Sequence, residues 1–283
     1  MEREPMETSA MPWAHLRLPP FPQIALRVMQ LVNSENVQLH QLSELISSDP
    51  AFAGEVLTVA NSLLYAPRFP VSSILQAIAV LGANNLQGLC LTVGVRTYMG
   101  RALNQPAMKQ IWRHDLACSL IAAELATAGF LDREIAYTAG VLHDLGRLAL
   151  AVIRPIDYGT LLTSFVGSPA EILEAEKLLF GINHCEAGRM LVRDWQLSED
   201  FEPVACNHHQ PFDEGASWGM AELVATSCLM ADSLGYAAFP GCTTTPFDEL
   251  LDRLPAREHR NFRPSADFLA KEIAEKIGSV ETL

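Results

Sequence analysis

Five histidines and two aspartates in the second half of this 283-residue chain have the types and positions to bind a metal or move protons. They are His114, His143, His184, His208 and His209, with Asp144 and Asp232. Imidazole nitrogen and carboxylate oxygen both serve divalent cations, and one carboxylate can bridge two ions. His143 and Asp144 stand side by side in Gly140-Val141-Leu142-His143-Asp144-Leu145-Gly146-Arg147, inside the most apolar stretch of the chain. His114 shares a helical face with Ile111, Cys118, Ile121 and Leu125, so its ring is expected to point inward. Asp232 lies in a stripe of small residues with Cys228 and Gly235, and a carboxylate buried there needs a donor or a cation. His184 is expected in the first turn of a helix, where the macrodipole disfavours imidazolium and leaves the nitrogen free to ligate. His208 shares a face with Phe201, Val204 and Ala205, and His209 points about 100° away, so one of the pair faces the core more directly. Singly, each histidine reads more readily as a hydrogen-bonded core residue than as a ligand. The set argues for a metal, with a purely structural hydrogen-bond cluster as the alternative.

Helical periodicity positions these residues, and period-two alternation over strand lengths is scarce, so the fold is expected to be all-α. After Leu18-Pro19-Pro20-Phe21-Pro22, one stripe runs through Ile24, Val28, Leu31 and Val32 and another through Leu39, Leu42, Leu45 and Ile46. Asp49-Pro50 reads as an N-cap with proline at the first helical position, and Ser73 starts a helix over Ile74 to Leu81 that Gly82 ends. A segment from Leu86 to Tyr98 follows, and Gly100 to Pro106 is the expected joint between lobes. Further helices are expected near Ala107–Ala128, Glu134–Ile153, Pro169–Phe180, His184–Trp195, Glu199–His209 and Trp218–Tyr236. Ser168 with Glu171, and Asn183 with Glu186, have capping-box spacing. Pro240 to Pro246 reads as loop, and an amphipathic helix near Ala266–Ile277 ends the chain. The expected division is a leader over 1–17, an N-terminal helical lobe over 18–103, a helical bundle lobe over 104–239, and a C-terminal loop and helix over 240–283.

With 49% hydrophobic residues, the chain can bury a substantial core, which excludes disorder as its main state. A formal charge of -13, from 33 acidic against 20 basic residues, offers no general attraction for nucleic acid or anionic lipid. No nucleic-acid or membrane partner is expected, and the acidic first residues carry no secretion signal, so a cytoplasmic location is expected. The six cysteines are scattered with no C-x-x-C pair and read as small buried hydrophobes.

Several of these segments together resemble the HDOD domain, a signalling output module related to the HD metal-dependent phosphohydrolases. The residues that carry the likeness are Leu18-Pro19-Pro20-Phe21-Pro22, Asp49-Pro50, Ala60-Asn61-Ser62, Ala77-Ile78 and Leu81-Gly82, then Trp112-Arg113-His114, Gly140 to Arg147, His184, Trp195 and His208-His209-Gln210-Pro211. The resemblance implies a two-lobed helical fold whose second lobe is HD-like, and a role in bacterial signal transduction, commonly without demonstrated hydrolysis. It implies HD-type metal ligands at His114, His143, Asp144 and Asp232. Further histidines of HD-GYP phosphodiesterases correspond to His184, His208 and His209. The chain departs from HD-GYP after His209, reading Gln210-Pro211-Phe212-Asp213-Glu214-Gly215 without the Glu or the Gly-Tyr-Pro signature.

Two functions follow as expectations. The first is a regulatory module that binds a signalling protein or a small ligand, nucleotides included, with or without one or two divalent ions (Fe, Mn, Mg, Ni or Zn). The alternative is a metal-dependent phosphohydrolase or nucleotide phosphodiesterase, in which His114, His143, Asp144 and Asp232 hold one ion, Asp144 bridges to a second held by His184, His208 and His209, a bridging hydroxide attacks phosphorus, and Arg147 offers a phosphate-binding charge. Outside that alternative, Arg147 is expected to be a solvated helix-side charge.

Overall fold

The computed structural model describes residues 21–32, 38–210 and 218–282. The leader over 1–17, the start of the Pro-rich entry and the segment Pro211 to Gly215 lie outside the described residues. Five helices, α1 (Gln23–Val32), α2 (Leu39–Ser47), α3 (Pro50–Ala60), α4 (Ile74–Leu81) and α5 (Ala83–Met99), pack together as the first lobe. Asp49 caps α3 by accepting from the backbone N–H groups of Ala51 and Phe52, and Ser73 caps α4 through the N–H of Gln76. Gly82 separates α4 from α5 at φ 84°, a backbone angle that a side chain resists.

A 3₁₀ turn at Gly100–Asn104 leads into α6 (Pro106–Gly129), the 24-residue axis of the second lobe. Around it stand α7 (Arg133–Leu142), α8 (Leu145–Ile153), α9 (Pro155–Ser164), α10 (Ile172–Phe180), α11 (His184–Asp194), α12 (Phe201–Asn207) and α13 (Met220–Ala231), which ends in a π turn over Asp232–Tyr236. Two-residue strands β1 (Val166–Gly167) and β2 (Gly241–Cys242) pair in parallel, with Val166 opposite Gly241. Beyond them α14 (Phe247–Asp252), α15 (Ala256–Asn261) and α16 (Ala266–Glu281) complete the described chain. Among the described residues no helix is long and apolar enough to cross a membrane.

The structure differs from the sequence reading in three places and adds one packing that the sequence left open. The helix expected over Glu134–Ile153 is two helices, broken where Asp144 takes φ -100°, ψ 22°. In a continuous helix, neighbouring side chains diverge by about 100°, whereas the break lets His143 and Asp144 both enter the core. Helix α9 occupies a stretch for which no helix is expected from the sequence, with Pro155 opening it and Tyr158 and Leu162 buried. Ser168 and Glu171 exchange the two hydrogen bonds of a capping box, but around a turn that precedes α10. The segment after Pro246 also folds back on the bundle. Arg257 and Asn261 donate to the carbonyls that end α6, and Arg113 pairs with Glu281 through two 2.6 Å bonds.

Close helix approach sets the spacing of the second lobe. A Cβ on Gly140 would lie 2.5 Å from Ser119 Cα, and one on Gly146 would lie 1.9 Å from the His184 carbonyl oxygen. Only glycine lets α7 reach α6 and α8 reach α11 at these distances. Without that approach, the histidines on separate helices could not share one centre.

Candidate metal centre

His114 from the middle of α6, the His143–Asp144 break, His184 at the start of α11, His208 and His209 after α12, and Asp232 after α13 converge in the interior. All but His209 are less than 5% exposed. Their burial follows from their elements, because α6 is buried along most of its length and the break turns two successive side chains inward.

On one side stand His114, His143 and Asp144. The Nδ1 of His143 faces the Gly140 carbonyl at 2.6 Å and that of His114 faces the Tyr236 carbonyl at 2.8 Å. A carbonyl only accepts, so each Nδ1 carries its hydrogen and each Nε2 turns toward the centre. The two Nε2 atoms are 3.3 Å apart, and Asp144 Oδ2 lies 4.0 Å from His114 Nε2 and 3.9 Å from His143 Nε2. A point equidistant from these three atoms lies about 2.2 Å from each, at the upper end of Zn–O bonds and slightly longer than Zn–N bonds. Asp115 adds a fully buried carboxylate within 4.8 Å of the His143 and Asp144 donors, with neither oxygen hydrogen-bonded. These donors fit a divalent cation, and orphaned buried carboxylate oxygens are what such a cation satisfies.

Asp232 takes a different place from the one the resemblance implies. Its Oδ1 is 3.3 Å from Nδ1 of His114, on the ring atom that faces away from the shared point, where it orients the ring. Burial by itself would lower the His114 pKa, but the Asp232 carboxylate, helped by Asp144 and Asp115, outweighs it and raises it to about 9. Burial, with His208 and His114 nearby, holds His143 well below its ordinary value. Burial and the neighbouring Asp144 charge push Asp115 well above the usual carboxylate range. Cys228 also approaches, with Sγ 3.4 Å from His114 Nε2, and with His114 and His143 it forms another donor group within 4.8 Å, while burial and Asp232 push its thiol up.

On the other side Asp144 Oδ1 lies 3.2 Å from His208 Nε2 and 3.5 Å from His184 Nε2. Asp144 Oδ1 and His208 Nε2 are both buried without a hydrogen-bond partner of ordinary geometry. Arg147 is 1% exposed, which overturns its reading as a solvated charge. Its Nε donates to Asp144 Oδ2 at 2.6 Å, its Nη1 to Tyr158 Oη at 3.3 Å, and its Nη2 stands 3.2 Å from His184 Nε2 and 3.4 Å from His209 Nε2. Burial would raise the Asp144 pKa, but Arg147 and the surrounding histidines hold it well below the usual range. Burial, with Arg147 next in effect, lowers the His184 pKa.

Glu176, which sequence reasoning passed over, anchors this side. It accepts from Tyr158 Oη at 2.5 Å, from the His184 backbone N–H at 2.9 Å and from His184 Nδ1 at 2.6 Å. Asp115 was likewise missed, although it adjoins His114 on a helix apolar all round, which was the available signal. Glu176 sits on an amphipathic helix among other charges, and nothing in the sequence marks it.

An all-helical bundle with buried imidazoles and carboxylates around a shared centre is the arrangement that the resemblance implies. The HDOD domain family matches residues 18–211, and the chain belongs to that family. An uncharacterized protein of Treponema pallidum (strain Nichols) is 27% identical over 198 residues, 68% of this chain and 37% of that protein. The chain thus spans well under half the length of the curated relative it matches. Among solved structures, a proposed phosphohydrolase of Shewanella amazonensis SB2B superposes with a TM-score of 0.69 at 22% identity, covering 98% of this chain and 99% of its own. An HDOD domain protein with unknown function from Geobacter sulfurreducens gives 0.68 at 24% identity, covering 94% and 92%. A proposed signal transduction protein of Marinobacter aquaeolei VT8 gives 0.68 at 22%, covering 95% and 61%. At these identities the likeness is one of fold.

Proposed function

We propose that this chain is a regulatory output module that works by binding a signalling protein or a small ligand, and that its His/Asp cluster holds at most one divalent ion as part of the fold. The observation that carries this reading is the burial of the cluster. Asp144 and His143 are 0% exposed and His114, Arg147 and His184 are 1% exposed, so among the described residues a phosphate ester can meet the cluster only at its partly exposed edge, His209. The signal transduction role given to the Marinobacter neighbour supports the same reading. Imidazole-rich donors favour Zn, Fe or Ni over Mg. When bound, the ion would supply cross-linking of α6, α7 and α8 through His114, His143 and Asp144, adding stability by mass action.

The test combines three measurements on protein purified without chelator: metal content, hydrolysis of a panel of phosphomonoesters and cyclic nucleotides, and recovery of a partner by affinity capture. No turnover above that of Asp144→Ala, with a reproducible partner or ligand, is the expected result. Turnover of any phosphate ester that Asp144→Ala abolishes would overturn the reading in favour of a phosphohydrolase.

A further inference from the structure

Asp144, His184, His208 and His209 place four donor atoms within 4.8 Å of one another, the makings of a second metal position beside the one on the His114 side. A guanidinium is already there. Arg147 touches three of those four residues: Asp144 through Nε at 2.6 Å, and His184 and His209 through Nη2 at 3.2 and 3.4 Å.

The lone pairs decide what this contact means. His184 gives its Nδ1 hydrogen to Glu176, so its single remaining lone pair is on Nε2, and that lone pair faces an N–H of Arg147. An sp² nitrogen cannot accept this hydrogen bond and ligate an ion with the same lone pair. Arginine, unlike histidine or lysine, cannot shed its charge in a protein to make room. The side chain is also held from behind, with Tyr158 Oη at 3.3 Å and Glu176 Oε1 at 3.5 Å from Nη1. Leaving would strip the buried Asp144 carboxylate of its ion pair.

The geometry points to Arg147 as a built-in cation that takes the place of a second metal ion. The chain therefore accepts no ion between Asp144, His184, His208 and His209 while the arginine is present. His208 Nε2 and Asp144 Oδ1, the two atoms of this group without a hydrogen bond, are the donors left over by that substitution. Arg147 can hold this place whether or not an ion sits on the His114 side. The difference in ion count between variant and wild type therefore tests Arg147, while the wild-type count tests the one-ion reading above.

The experiment loads wild type, Arg147→Ala and Arg147→Gln with Mn²⁺, removes free ion, and measures bound metal by elemental analysis and pair coupling by electron paramagnetic resonance. Circular dichroism reports whether each variant is folded. Each folded variant is expected to hold one ion more than wild type, and adding His184→Ala is expected to remove that extra ion. If wild type also holds one ion, the variant's two are expected to give a spin-coupled signal. A folded Arg147 variant that gains no ion would overturn the assignment. If neither variant folds, titration of wild type with excess Mn²⁺ decides, because a second bound ion in the presence of Arg147 refutes it directly.

Discussion

Replacing Glu176 by alanine removes one acceptor from three buried donors at once: the His184 backbone N–H, His184 Nδ1 and Tyr158 Oη. It also leaves Arg147 with Asp144 as its one carboxylate partner within salt-bridge distance. Breaking a buried ion pair by deleting one partner costs about 3–5 kcal/mol, and hydrogen bonds to charged groups contribute roughly 1.5–3 kcal/mol each, terms that overlap here rather than add. About 4 kcal/mol is the expected loss, a large share of the roughly 5–15 kcal/mol that holds a domain folded. At about 2–4 °C per kcal/mol for a chain of this size class, the melting temperature should fall by about 10 °C. Glu176→Gln keeps an acceptor for the backbone N–H but loses the charge, so it should lose about half as much. Urea denaturation with both variants measures the effect. A loss under about 1 kcal/mol for Glu176→Ala, at unchanged m, would refute the view that this carboxylate anchors the arginine side of the cluster.

Three further outcomes can be checked with simpler reagents. Gly146→Ala forces its methyl against the His184 carbonyl and should cost at least about 3 kcal/mol in urea denaturation. By contrast Gly54→Ala, on exposed α3 with open space around it, should gain about 0.5–1 kcal/mol. Alkylation of native protein at pH 8, read by peptide mass, should label half-exposed Cys206 first. Burial pushes the Cys90, Cys118, Cys185 and Cys228 thiols above their usual range and Cys242 up to about 12, so these should react only on unfolding.

What could be read from the sequence was local. The Asp49-Pro50 and Ser73 starts, the Gly82 stop and the Asn183/Glu186 box each depend on backbone groups a few residues away, and the structure places each as expected. The inward histidines were legible because apolar stripes mark which face a helix buries. The missed features all depend on partners distant in sequence. Arg147 looks like an ordinary surface arginine until α9, α10 and α11 close over it, and Glu176 has no mark at all until His184 arrives. The break at His143–Asp144 was hidden because both halves are apolar enough to read as one helix. Asp232 was assigned a ligand's place by resemblance, and only the ring orientation of His114 shows that it meets the other nitrogen.

Asp144 spends one oxygen toward His114 and His143 and the other toward His184 and His208, while the same group neutralises Arg147. Electron density drawn toward one positive neighbour is less available to the other. Tightening the grip on either flank should therefore loosen the opposite one, so that the two halves of the pocket behave as rivals on a single balance beam whose pivot is one carboxylate.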